Sequence, residues 1–384
     1  MTAVRHALRM PALAVMLAMA CAAPAAAETV VERAEAAAAA LREAGAALAA
    51  ASGARDRVAA LTATIRAHED GLGALRESLR QAAIREASLR RGFDARSAQL
   101  AQLLAVLSTV ERTSGPLLLL HPSGPLGTVR SGMLLAEVTP ALAAEAETLR
   151  AQLRELATIR ALREAMAEDL EHGLRAMQQA RVELSRAIAD RDALPAPVAA
   201  DTEALAALAQ RADTLAAFAQ GLADLPSAGD GAAGPVRFDQ ARGQLPLPVR
   251  GTLLRRAGEA DAAGVRRPGL VIATRPRALV SAPWPATIRY VGPLLDYGNV
   301  MVLEPDDDYL LVLAGLDVVY GRPGAVVAAG APLGLMGGAE PRAMEFLSAA
   351  SGGGGDERSE TLYLELRQRT GPVDPSGWFA QIGD

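Results

Sequence analysis

The sequence predicts an α + β multidomain protein, in which a long antiparallel helical hairpin precedes a compact all-β domain. Three observations lead to this fold class: a sustained apolar repeat in the first half, a break rich in Pro and Gly within it, and a change to short Val, Ile, Leu and Tyr runs after residue 236. The 384 residues are enough for more than one domain. A net charge of -5 argues against a nucleic-acid partner.

Residues 1–27 have the pattern of a secretory signal peptide. Arg5 and Arg9 precede the apolar run PALAVMLAMACAA, and three alanines precede Glu28. We therefore expect cleavage after about Ala27 and export to the periplasm. Cys21 could alternatively mark a lipid-attachment box, although the usual Leu three positions earlier is absent. Without Cys21 the mature chain has no cysteine, so neither disulfides nor thiol catalysis are expected.

A helix of heptad character is predicted up to about Thr113. Its seam alternates steps of three and four through Val58, Leu61, Ile65, His68, Leu72, Leu75, Leu79, Ala82, Glu86, Leu89, Phe93, Arg96, Leu100, Leu103, Leu107 and Val110. The Ala-rich sequence upstream predicts that the same helix extends back to about Thr29. At about 1.5 Å per residue such a helix would exceed ~100 Å. The polar seam residues could set the register, contact a partner, or lie in solvent.

A second helix is predicted after the breaker at residues 113–132. Its apolar positions run from Leu142 to Ile188, and LPAPVAA ends it at residues 194–200. Because each apolar stripe needs a partner, we expect residues 28–200 to form an antiparallel coiled-coil hairpin.

A third helical stretch, residues 201–225, precedes the flexible sequence PSAGDGAAGP at residues 226–235. Together, residues 201–235 are predicted to form a helical arm and linker. Its apolar positions are Leu205, Leu208, Leu215, Phe218 and Leu222. This arm could dock on the β domain or cap the coiled coil.

The β domain is predicted to span residues 236–384. The strand candidates are LVIAT, ALVSAP, TIRYVG, NVMVLEP, YLLVLAGL, VVYG, APLGLMG and TLYLELR. Asp306, Asp307 and Asp308 are expected to form a solvated turn rather than a calcium loop. Residues 337–359 are expected to form a mobile surface loop.

Three segments of this domain resemble the LytM-type (M23-like) zinc endopeptidase domain, a lipoyl-like barrel-sandwich. RRPGLVIATRP is similar to that family's H-x-G-x-D-I, YLLVLAGL to its Y-x-x-x-Y-A-H-L, and TLYLELRQRTGPVDP to its H-L-H-F-E-V-R-x-x-G-x-P-V-D-P. The segments match in order and spacing.

The resemblance places no metal ligand on this chain. The family's zinc and catalytic positions fall on Arg267, Val271, Gly315, Thr361 and Tyr363. Independently, nothing after residue 172 is His or Cys, and carboxylates alone bind zinc poorly. We therefore expect no metal, no cofactor and no catalytic residue, so the domain is read as degenerate and non-enzymatic.

A coiled coil joined to a degenerate LytM-type domain is similar to the EnvC-type murein hydrolase activators. That resemblance implies a non-catalytic activator of peptidoglycan amidases in cell division and daughter-cell separation. It implies that the coiled coil binds the FtsE-FtsX complex, that an arm restrains the degenerate groove, and that the freed groove captures a helix of a zinc-dependent periplasmic amidase. Peptidoglycan itself is a further possible partner.

The groove candidates come from the alternation of side chains along the strands and from the enrichment of Tyr and Arg at interfaces. They are Arg267, Arg289, Tyr290, Tyr297, Tyr363 and Glu365.

The sequence leaves three other functions open. A residual metallopeptidase would need a zinc site without histidine. A periplasmic adaptor of a transport complex is suggested by VVYGRPGAVVAAGAPLGLMG, which resembles a lipoyl-like half-motif, but adaptor hairpins interrupt a β domain, whereas here every predicted strand follows the helices. A purely structural coiled-coil protein is the third.

Overall fold

A computed structural model of the protein describes residues 30–112, 124–192, 202–225, 237–340, 360–368 and 371–380. The predicted signal peptide, the predicted linker at residues 226–235 and most of the predicted loop at residues 337–359 lie outside the described residues. The described chain places five α-helices before a β domain. The helices are α1 Val30–Ala50, α2 Ala54–Arg112, α3 Gly124–Asp192, α4 Thr202–Arg211 and α5 Leu215–Asp224.

The chain reverses direction between α1 and α2, so the prediction of one unbroken helix from Thr29 is wrong. A Cβ built on Gly71 would lie 3.6 Å from the Cβ of Ala37, whereas the two residues would be about 50 Å apart in a straight helix. Gly53 supplies the carbonyl that starts α2, and small side chains on α1 allow close packing. Helix propensity alone could not reveal this because Ala favours both arrangements.

The long helices α2 and α3 pack side by side in opposite directions. Arg85 pairs with Glu155 at 2.7 Å, and Arg96 pairs with Glu145 at 3.8 Å, so residue numbers rise on one helix as they fall on the other. The antiparallel arrangement of the pair is therefore shown, while heptad supercoiling stays a prediction. The predicted breaker at residues 113–132 was too long, because α3 already begins at Gly124 and accommodates a proline in its first turn.

The seam residue Glu86 makes contacts between the two helices. Its carboxylate accepts hydrogen bonds from Arg160, at 3.0 Å, and from Arg163, both on α3. Only 12% of the Glu86 side chain is exposed. Of the three roles left open for the polar seam residues, the contacts of Glu86 therefore fit a residue that sets the register of α2 against α3.

In the described part of the β domain, ten strands are present. They are β1 Gly251–Arg255, β2 Leu270–Thr274, β3 Leu279–Ser281, β4 Ala286–Pro293, β5 Asn299–Asp306, β6 Tyr309–Val319, β7 Val326–Val327, β8 Pro332–Met336, β9 Glu360–Gln368 and β10 Gly371–Val373. The main order is β1-β2-β9-β6-β5-β4-β7, with β10 beside β9 and with β8 beside both β3 and β6. All the described strand pairs are antiparallel. The sequence did not indicate β1, β7 or β10, which are short or largely exposed.

Alternation along the central strands creates two apolar surfaces. Leu311 and Leu313 of β6 and Leu362 and Leu364 of β9 face the core of the β domain. The intervening residues of β6 and β9 face the opposite side, where they pack with α4 and α5. Both sides of the central sheet are thus buried, as near-continuous apolar strands predict.

The first turns of α2 and the last turns of α3 pack on β3, β8 and the end of β6. Leu61 and Leu184 are buried there with Leu279 and Leu335. Beside this apolar contact, the Leu279 backbone N–H donates to Glu69 Oε1 at 2.9 Å, and burial raises the pKa of Glu69. The helix pair is therefore joined to the β domain by a packed junction.

Truncating a leucine at this junction should destabilise the protein. Because Leu61 and Leu184 are 2% and 0% exposed, Leu61→Ala and Leu184→Ala should each lower the free energy of unfolding by about 2–5 kcal/mol. Denaturant unfolding followed by circular dichroism measures this. Leu162→Ala is the control, since Leu162 on the same helix pair is 53% exposed. Equal effects at Leu184 and Leu162 would contradict the packed junction.

Candidate functional site: a groove occupied by two short helices

The outer side of the central sheet is an apolar surface, which we call the groove face. It is built by alternate residues of β2, β4, β5, β6 and β9 and by the turn after β4. Its residues are Val271, Tyr290, Leu294, Tyr297, Val300, Val302, Leu310, Val312, Ala314 and Tyr363.

Four of the five degenerate ligand positions meet at one place on this sheet. Val271 lies opposite Tyr363 in the β2–β9 register, and Ala314, next to Gly315, lies opposite Tyr363 on the other side. Thr361 is exposed, and its carbonyl faces Gly315. At two of these positions, Val271 and Tyr363, the groove face presents an aliphatic and a phenolic group.

Arg267, the fifth position, lies in the loop between β1 and β2. Its side chain is 43% exposed and its Nη1 lies 3.9 Å from Oδ2 of Asp261. The Arg267 carbonyl accepts a hydrogen bond from the Gly258 N–H at 2.8 Å. The structure therefore places the Arg267 guanidinium beside a loop carboxylate.

The backbone at Gly315 would itself oppose a histidine. Gly315 has a φ of +99°, and a Cβ added there would lie 2.6 Å from the Thr361 carbonyl oxygen. Among the described residues no group of three or more His, Cys, Asp or Glu side chains could hold a metal ion. The donor set at this site offers a phenol and a hydroxyl, which do not make a usual zinc site.

A buried polar chain continues from Tyr363 along β9. The Tyr363 hydroxyl donates to Oε2 of Glu365 at 2.7 Å, and Arg367 Nη1 donates to Oε1 of the same carboxylate at 2.6 Å. Burial, together with the nearby Glu365, raises the pKa of Tyr363, so its phenol stays a hydrogen-bond donor. Arg367 was missed by the sequence analysis, although it continues the alternation through residues 361, 363 and 365.

Helices α4 and α5, which we call the arm, lie on the groove face. Leu205 of α4 and Leu215, Phe218 and Leu222 of α5 are buried in one cluster with the groove-face residues, and Leu208 packs against that cluster. Of the two positions that the sequence left open for the arm, the structure has it docked on the β domain.

The arm is two helices, so the prediction of one continuous helix is wrong in this respect. Thr214 caps α5 by accepting a hydrogen bond from the Ala217 N–H at 3.0 Å. Gly221 of α5 lacks a side chain where the methyl groups of Leu208 come close. The break allows both short helices to turn apolar residues inward.

Helix α5 and the residue that caps it meet two groove candidates. The rings of Phe218 and Tyr290 pack edge to face with centroids 4.6 Å apart. Arg289 is buried, with Nη1 donating to Glu304 at 2.8 Å and Nη2 donating to the carbonyls of Leu222 and Leu225 at 3.4 and 3.3 Å. Arg289 and Tyr290 thus both contact the arm or its last residue.

Comparison with known proteins gives limited matches. No protein-family model matches the chain. An uncharacterized protein of Neisseria meningitidis serogroup B is 29% identical over 142 residues, which are 37% of this chain and 21% of that protein. The chain therefore spans about a fifth of the length of this curated relative.

Solved structures similar to this chain include peptidases. Helicobacter pylori Csd3 is 19% identical over 35% of this chain and 34% of its own, with a TM-score of 0.26. A zinc containing peptidase from Vibrio cholerae is 20% identical over 34% and 38%, with a TM-score of 0.27. The catalytic domain of lysostaphin from Staphylococcus simulans is 16% identical over 33% and 89%, with a TM-score of 0.26. At these TM-scores the matches carry no argument about function.

No helix in the described part of the chain is both long enough and apolar enough to span a membrane.

Adding a side chain at Gly315 should strain the sheet. Gly315→Ala should lower the free energy of unfolding by about 1–3 kcal/mol, because the methyl group would meet the Thr361 carbonyl at a positive φ. Thermal unfolding of the variant tests this. Gly371→Ala is the matched control, since a Cβ there meets nothing within 4 Å. A Gly315→Ala protein as stable as the control would refute the close approach.

Removing the Tyr363 hydroxyl should also destabilise the protein. Tyr363→Phe leaves the buried Glu365 without one of its donors, so the free energy of unfolding should fall by about 1–3 kcal/mol. Chemical denaturation measures the difference. The control is Tyr297→Phe, which removes a hydroxyl from a half-buried ring 6.2 Å away. If both variants unfold alike, the hydrogen bond contributes nothing specific.

Proposed function

We propose that the protein is a non-catalytic, EnvC-type activator of peptidoglycan (N-acetylmuramoyl-L-alanine) amidases. The observation that carries this proposal is the docking of α5 on the groove face, at the positions where the LytM-type resemblance would place a metal centre. A surface that binds a helix of its own chain through Leu215, Phe218 and Leu222 is suited to binding a helix of a partner.

The proposal takes residues 236–384 as a degenerate LytM-type domain. Its support is the order and spacing of the three resembling segments, together with the antiparallel sheet that brings Val271, Gly315, Thr361 and Tyr363 together. Since these side chains make a poor zinc site, the domain acts by binding and not by hydrolysis.

The arm acts as the restraint. Burying one Leu or Phe side chain contributes about 1.5–3 kcal/mol, so the contacts of α5 hold the groove face closed in the isolated chain. A partner helix that binds only the open groove shifts the population toward it. The amidase helix is proposed to be that partner, and its capture relieves amidase autoinhibition.

The helix pair supplies the upstream connection. Residues 28–200 are proposed to form a coiled coil that binds the FtsE-FtsX complex at the division site, after export and removal of residues 1–27. The junction at Leu61 and Leu184 supports this proposal, because it ties the pair to the β domain through a cluster of residues separate from the one that the arm joins. A force on the helix pair would therefore reach the β domain without passing through α5.

Release of the arm should turn the protein into a stronger amidase activator. With Phe218→Ala and Leu222→Ala combined, α5 loses its two most buried anchors, so the mature chain should stimulate a periplasmic amidase of the same organism several-fold more than the unaltered chain does. Dye release from labelled peptidoglycan sacculi measures this, with the chain alone, the amidase alone and both together.

Arg211→Ala, an exposed position of the arm, is the control and should behave as the unaltered chain. Dye release by the chain without amidase would revive the metallopeptidase reading. No stimulation by the double variant in the mixture would refute the activator function.

A further inference from the structure

The groove has a built-in direction for the helix it binds. At one end, Arg289 and Glu304 form a buried ion pair of 2.8 Å, with side chains only 8% and 10% exposed. The second guanidinium nitrogen, Nη2, points at the end of α5 and donates to the carbonyls of Leu222 and Leu225. These carbonyls belong to the last turn and the cap of α5, where the helix offers few backbone donors. The Leu222 carbonyl also accepts a hydrogen bond from the Leu225 N–H at 3.3 Å.

The chemistry of this end selects a carboxyl terminus over an amino terminus. The carboxyl end of a helix carries a partial negative charge and free carbonyl oxygens, which match guanidinium donors. An amino end would place N–H donors against the N–H donors of Arg289, leaving both unsatisfied in a buried setting. Glu304 holds Nη1, so that Nη2 remains aimed at the helix end.

We propose that Arg289 is a direction-selecting residue: the partner helix binds with its carboxyl end at Arg289, in the same direction as α5. The inference rests on the proposed function and adds the kind of helix the groove accepts. The buried residues of α5 give the pattern that a partner helix should share. A large apolar residue is followed three positions later by an aromatic residue and directly after that by a small residue. A second large apolar residue follows three positions after the small one. In α5 these residues are Leu215, Phe218, Ala219 and Leu222.

The spacing of this pattern makes a sharp test possible. The steps of three, one and three are the same when the sequence is read backwards, so a reversed peptide keeps the apolar spacing. To place its aromatic ring where Phe218 lies, the reversed peptide must bind with its amino end at Arg289. The probes are a peptide of residues 212–225, ADTLAAFAQGLADL, and its reversed sequence, both with the amino end acylated by the label and the carboxyl end amidated. The receptor is the mature chain carrying Phe218→Ala and Leu222→Ala, which vacates the groove.

Fluorescence anisotropy should show that the forward peptide binds about tenfold more tightly than the reversed one, as expected for one charge-assisted hydrogen-bonding group. Adding Arg289→Gln together with Glu304→Gln should remove that preference by weakening the forward peptide alone. The paired change avoids leaving a buried unpaired carboxylate, and circular dichroism checks that the variant folds.

Equal binding of the two peptides, or a forward preference that survives loss of Arg289, would overturn the inference. The same receptor is tested in parallel for amidase stimulation in the sacculus assay. Stimulation without a directional preference would reject the role of Arg289 and leave the activator function standing. Failure of stimulation would reject the proposed function, whichever way the peptides bind.

Discussion

The packing of α5 against the outer side of the central sheet is the interaction on which the rest of this account depends. Phe218 and Leu222 are fully buried there, against strands that bury their other side in the core of the β domain. A sheet that is apolar on both sides cannot leave one side in water without exposing a large patch. In the isolated chain the arm covers this side of the sheet, and a partner that displaces the arm must cover it as well.

The helix pair packs on a different set of β-domain residues from the arm. Its base packs on β3 and β8, and hydrogen bonds flank the apolar contact, including one from the Arg66 guanidinium to the Gly330 carbonyl at 3.1 Å. The β domain therefore contacts two helical elements of different character. One is joined by leucines and buried polar groups, and the other mainly by apolar side chains together with Arg289. The second is the easier to exchange for a similar helix.

Sequence patterns predicted the elements that local chemistry determines, such as the seam leucines of α2 and α3 and the apolar runs of β6 and β9. They failed where tertiary contacts decide, at the reversal before α2 and the break between α4 and α5. The groove shows the same division. Alternation places Tyr363 and Glu365 on one face, but a register shift between Ile288 and Tyr290 lets Arg289 and Tyr290 both reach the arm, which a strict period of two does not predict.

The arm and a partner helix are proposed to compete for one surface. Amide hydrogen exchange of the unaltered mature chain, with and without an amidase that it stimulates, detects this competition. Competition predicts that the amides of α5 lose protection when the amidase is added, while those of β5 and β6 keep theirs. Unchanged protection in α5 under conditions of full stimulation would contradict it, because the partner would then bind elsewhere.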